Sequence, residues 1–190
     1  DLELLDRIES EHDNLRAALE WATENHPATA LKLAYSAGGF WTIRDYNAEA
    51  QFWCSTILGK TEAMSELEED RGRLYGLLGW LMMTLGEHKK GRAASEQAIT
   101  LAEKSNDFYT MSRAYATAGL ASCFLGDFPA AFPAIEKAES IAREHDLAAE
   151  LAFILGSRAQ LEFIGKGDLP IARVSVLEAS DLVHKAGFIW

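Results

Sequence analysis

Strand signals are nearly absent from this chain, and so are the usual signatures of a catalytic or metal site. There is no Asn-Gly or Asp-Gly hairpin pair, and only four prolines interrupt 190 residues; both facts argue against a sheet. Cysteine occurs twice, at Cys54 and Cys123, without C-x-x-C spacing. A disulfide framework is therefore not expected, and a reducing cytoplasm is the expected setting. No apolar run approaches the roughly 18–20 residues of a membrane span, so no membrane partner is expected. Positive charge is short as well: 18 Lys and Arg against 29 Asp and Glu leave a net charge of −11. Such a surface repels phosphate backbones and gains nothing from counterion release, which excludes direct nucleic-acid binding by this segment. No G-x-x-x-x-G-K-[ST] loop is present, so no nucleotide site of that kind is expected. The five histidines (His12, His26, His88, His145, His184) form no H-E-x-x-H or zinc-type cluster, so neither a metal nor a cofactor is expected.

What is present is helical rhythm. Apolar residues recur three and four apart, as at Leu15, Ala18, Leu19 and Ala22, or Leu74, Leu77, Leu78 and Leu81. The punctuation agrees. "SELE" (Ser65–Glu68) reads as a capping box, and Pro27 suits a first helical turn. Gly59 and Gly187 suit helix ends, while Lys104, Arg143 and Lys185 suit last turns, where the dipole favours cations. About nine helices are predicted, over 2–24, 27–43, 46–58, 66–85, 88–104, 108–125, 128–144, 147–165 and 169–186. Pro133 falls inside one of them and should kink or fray it. The chain opens on Asp1, already in helical rhythm, and reads as a segment of a larger protein.

A repeat fixes the architecture. "LGEH" (Leu85–His88), "LGDF" (Leu125–Phe128) and "KGDL" (Lys166–Leu169) place Gly86, Gly126 and Gly167 at spacings of 40 and 41. "IRDY" (Ile43–Tyr46) is a degenerate first copy, with Arg44 in the glycine position. Small residues accompany the motif five later (Gly91, Ala131, Ala172) and seven earlier (Gly79, Gly119). The glycine accepts the left-handed backbone that ends a helix, the acid beside it can cap the next, and the small residues let paired helices close up. One pair cannot bury its own apolar face, so neighbours must stack.

This pattern resembles the tetratricopeptide repeat, with a longer period. It predicts an all-α, right-handed superhelical array of antiparallel helix pairs over 27–190, preceded by a linker or capping helix over 1–26. A second resemblance rests on "LDRIESEHDNLRAALEWATEN" (Leu5–Asn25), and within it on "EHDNLRAALEWA". That helix resembles the one opening the helical-repeat region of bacterial STAND-class ATPases, including LuxR- and SARP-type transcription regulators. The resemblance implies a non-catalytic sensor or interaction segment, working against ATPase and winged-helix modules elsewhere in the parent. Its partner would be a protein, a peptide or a small effector. The rival expectations are a stand-alone scaffold for complex assembly and, further off, a helical enzyme.

In such arrays the first helix of each pair lines the concave face. The glycine register puts Tyr35 and Trp41 there from the first copy, and Arg73, Trp80 and Met83 from the second. Arg113, Thr117, Leu120, Cys123 and Phe124 come from the third, and Ser157, Arg158 and Leu161 from the last. Aromatics beside arginines are the composition of binding hot spots. Three arginines there would make a positive strip suited to a carboxylate or phosphate. Cys123 has no general base beside it in sequence and reads as a small hydrophobe, and Asp127 reads as a cap. Gly38–Phe40 ("GGF") reads as a close helix contact, since no strand precedes it.

Overall fold

A computed structural model describes residues 2–185 of the protein. Ten α-helices follow one another: α1 (Leu2–Ser10), α2 (His12–Asn25), α3 (Pro27–Ile43), α4 (Asn47–Lys60), α5 (Glu68–Thr84), α6 (His88–Ser105), α7 (Phe108–Phe124), α8 (Phe128–Glu144), α9 (Ala148–Lys166) and α10 (Leu169–Lys185). The described residues include no strand.

Most of the punctuation acts as the sequence implies. Pro27 opens α3, where its missing N–H costs nothing. Asp107, Asp127 and Asp168 each accept the backbone N–H three residues on, capping α7, α8 and α10. Four expectations fail. The single helix over 2–24 is two, broken at Glu11 (φ −105°, ψ 13°). Ser65 forms no capping box: Ser65–Leu67 is a 3-10 turn, and α5 starts at Glu68 with no side-chain cap. Gly59 lies inside α4, which instead ends at the buried Thr61, whose hydroxyl donates to the Ile57 carbonyl. Pro133 does not break α8, which runs through it to Glu144; only the Pro129 carbonyl, in the first turn, loses a helical donor. Gly187 and the "FIW" at 188–190 lie outside the described residues.

The register of the first copy is shifted by one. Gly86, Gly126 and Gly167 take the left-handed conformation at φ 79°, 76° and 68°. In the first copy Arg44 does not; Asp45 does, at φ 61°. Counting from Asp45 brings that copy into line. The residue seven before is then Gly38, beside Gly79 and Gly119, and the residue five after is Ala50, beside Gly91, Ala131 and Ala172. These are the close helix contacts. A Cβ on Gly79 would stand 2.4 Å from Ser95 Oγ and 3.1 Å from the Gly91 carbonyl, and one on Gly119 would stand 2.9 Å from Ile135 Cγ1.

Helices α3, α5, α7 and α9 pack side by side as an inner layer, each against the next. Their partners α4, α6, α8 and α10 form the outer layer, and α2 packs on α3 at the N-terminal end. The core runs between the layers. Leu19, Leu31, Trp41, Ile57, Leu74 and Leu81 fill its N-terminal half, and Ile135, Ile154, Leu155 and Leu161 its C-terminal half. A buried His12 closes the α2 end, where Nε2 meets Glu49 Oε1 at 3.0 Å and the ring packs edge-on to Phe40.

Candidate binding site

The inner layer lines a half-open cavity of about 580 Å³ to which all four of its helices contribute. Helix α3 supplies Tyr35 and, through Gly38 and Gly39, bare backbone. Helix α5 supplies Arg73, Gly76 and Trp80, α7 supplies Tyr109 and Arg113, and α9 supplies Phe153. The aromatic wall is continuous in part: Trp80 meets Phe153 edge-on at 5.3 Å, and the Arg113 guanidinium lies 4.6 Å above the same ring.

Each arginine is held by a carboxylate at the start of the next inner helix, Asp107 before α7 and Glu150 in α9, and Arg73 also by Glu69 and Asp70 of its own helix. Arg113 grips Glu150 with two nitrogens, Nε to Oε2 at 2.7 Å and Nη2 to Oε1 at 3.1 Å, and the Glu150 side chain is only 2% exposed. Arg73 Nε donates to Asp107 Oδ2 at 2.8 Å and Nη2 to Glu69 Oε1 at 2.6 Å, with Asp70 3.7 Å from Nη1. Burial pushes the Asp107 carboxyl up, but the Thr110 backbone N–H, the Arg73 guanidinium and the Thr110 hydroxyl outweigh it and hold the pKa below the usual value. Burial drives the Tyr35 phenol up, and pushes Tyr109 up to about 12 with help from the Glu150 carboxylate. Both phenols therefore stay protonated donors at neutral pH.

Of the thirteen residues expected on the concave face, Tyr35, Arg73, Trp80 and Arg113 line the cavity. The others are corrected by burial or direction. Trp41 and Leu161 are fully buried between the layers, and Cys123 is in the core with them. Met83 and Leu120 pack together under Trp80. Thr117 and Ser157 are buried, and their hydroxyls donate to the carbonyls of Arg113 and Phe153 in their own helices. Phe124 is exposed but stacks on His88 at 4.9 Å, at the corner before α6. Arg158 pairs with Glu139 of α8. The positive strip is thus absent, because each of its arginines is neutralised. Burial also raises the pKa of both thiols, Cys54 and Cys123, so neither is an activated nucleophile. Among the described residues no cluster of three His, Cys, Asp or Glu could hold a metal.

Tyr109, Phe153, Glu150 and the cavity-lining place of Gly38, Gly39 and Gly76 are not among the residues the sequence points to. Glu150 lies 37 residues beyond Arg113, and no local motif marks the two as partners. The α3 glycine was hidden by the one-residue shift: counted from Asp45, Gly39 occupies the place of Trp80, Leu120 and Leu161. The cavity opens where the first repeat lacks that side chain.

An all-α, right-handed superhelical array of antiparallel helix pairs with left-handed glycine corners is the tetratricopeptide-like fold. Solved structures share it. BtubC from P. vanneervenii matches at TM-score 0.72 with 16% identity, covering 98% of this chain and 80% of that one. Aspartyl phosphate phosphatase F from Bacillus subtilis matches at TM-score 0.75 with 12% identity, over 99% of this chain and 50% of that one. A Podosopora anserina protein described as "putative kinesin light chain nearly identical TPR-like repeats" matches at 0.68 with 13% identity, over 97% and 93%. At these identities the likeness is one of fold alone. No protein-family model matches the chain. In sequence, proteins of Mycobacterium tuberculosis and Mycobacterium bovis, each named "Putative HTH-type transcriptional regulator", are 30% identical over 97% of this chain. The chain spans about a fifth of their length, 21%.

Proposed function

We propose that this chain is the sensing or interaction segment of a bacterial transcription regulator of the STAND class and that it binds a partner or effector on its concave face. In this reading the segment has no catalysis of its own and acts in the cytoplasm. Residues 1–26 link the array over 27–190 to ATPase and winged-helix modules of the parent. The observation that carries the reading is a cavity lined by all four inner helices, since a ligand there touches every repeat at once. The regulator-named relatives, aligned along almost the whole chain, support the regulatory context. Occupancy would favour one curvature of the array, and the parent would respond in proportion to the difference in affinity between its two states.

A thermal-shift screen of peptides and metabolites tests this. A ligand at a hundredfold excess over its Kd adds about 2.7 kcal/mol, a rise of roughly 5–10 °C for a chain of this size. Stabilisers should act on the wild type and not on Trp80→Ala, which removes the shared aromatic wall. Stabilisers that act equally on both proteins would refute the concave site.

A further inference from the structure

We propose that the cavity is built for an uncharged small molecule carrying an aromatic ring and a hydrogen-bond acceptor, and that it disfavours anions despite its two arginines. This rests on the cavity being the binding site proposed above. Its volume, about 580 Å³, is that of a pocket for a small organic ligand. Four rings on four helices face it, Tyr35, Trp80, Tyr109 and Phe153, and they offer flat apolar surface for stacking.

The charge balance decides the class. Arg73 and Arg113 line the cavity, but behind them stand four carboxylates: Glu69, Asp70 and Asp107 around the first and Glu150 on the second. An anion would meet guanidiniums already committed to carboxylates, in a field whose sum is negative. A cation would meet the guanidiniums first, since none of those four carboxylates lines the cavity. A neutral ligand avoids both penalties. Two donors are left facing the space: the Tyr35 hydroxyl, kept protonated by burial, and Arg113 Nη1, which makes no hydrogen bond among the described residues; the Tyr109 hydroxyl is already bonded to Glu150. Donors of this kind call for a carbonyl or ether oxygen on the ligand.

A matched pair of dyes reads the preference directly. N-phenyl-1-naphthylamine and 8-anilinonaphthalene-1-sulfonate share one aromatic skeleton and differ in the sulfonate. Both also meet exposed apolar residues such as Val174 and Leu177 on α10, so the cavity signal is what Gly39→Leu removes. A Cβ at Gly39 meets no atom within 4 Å and projects from a cavity-lining position, so this variant should fill the site, with circular dichroism checking that the fold is intact. The expected result is a saturable cavity signal for the neutral dye, with Kd about tenfold or more below that of the sulfonate. Asp107→Asn keeps the cap while removing one carboxylate, and should move the ratio several-fold toward the sulfonate. Equal or tighter cavity binding of the sulfonate, or an unmoved ratio in Asp107→Asn, overturns the ligand class and leaves the concave site standing. Dye binding untouched by Gly39→Leu overturns both.

Discussion

Replacing Arg113 by methionine tests the tie that joins the last two repeats. The substitution keeps the aliphatic stem over Phe153 and strands Glu150, whose side chain is 2% exposed. Breaking a fully buried pair by removing one partner costs about 3–5 kcal/mol. Arg113 is itself 35% exposed, so water reaches the gap and the expected loss falls to about 2–3 kcal/mol. With a urea m-value of about 2 kcal/mol/M, the unfolding midpoint should drop by roughly 1–1.5 M, followed by circular dichroism at 222 nm. The double variant Arg113→Met/Glu150→Leu removes both charges and should return to within about 1 kcal/mol of wild type, since buried pairs replaced by apolar groups are nearly neutral. The two single losses would then exceed their combination by about 2 kcal/mol or more. Single losses that simply add would show that the pair does not act as a unit, and the reasoning fails.

Asp107→Asn should cost stability at neutral pH and nothing in strong acid. Because the folded state holds the Asp107 carboxyl below its usual pKa, its contribution is present above the unfolded value of about 3.9 and is lost as pH falls through the folded one. The gap between wild type and variant should be full above about pH 5 and close progressively as pH falls below the unfolded value in urea titrations. Gly79→Ala and Gly39→Ala should move the melting temperature in opposite directions. The first meets Ser95 and the Gly91 backbone and loses about 1 kcal/mol net; the second meets nothing and gains roughly 0.5–1 kcal/mol from helix propensity. Asp45→Gly relieves a left-handed L-residue (φ 61°) and should gain roughly 0.5–1 kcal/mol in the same melts. A loss there would show that the Asp45–Asn47 side-chain hydrogen bond outweighs the backbone strain.

The helices and their stacking were legible because Gly86, Gly126 and Gly167 mark the corners by a backbone requirement that few other residues meet. The first corner is displaced by one residue from the repeat spacing because Asp45 meets the same requirement without being glycine, and Arg44 occupies the glycine place of the motif. That single residue moved Trp41 onto the concave face and hid Gly39. The site was harder to read for a second reason. Whether an arginine is free or neutralised depends on a carboxylate about one repeat away, as with Arg73 and Asp107, 34 apart, or Arg113 and Glu150, 37 apart. No local motif joins such partners; only packing does. Buried hydroxyls such as Thr117 and Ser157 were read as groove-facing because their helix was correct and their direction around it was not.

The cavity owes its opening to a missing side chain at Gly39, where the sister repeats carry Trp80, Leu120 and Leu161. One base change turns a glycine codon into one for alanine, valine, serine or arginine, among others, and each would narrow the space, beginning with a Cβ that meets no atom within 4 Å. Lineages descended from a common array can therefore gain or lose this hollow in one mutational step, while the scaffold around it stays under unchanged selection for packing. Residue 39 is then the position to read first when related arrays are sorted into those with a hollow and those without.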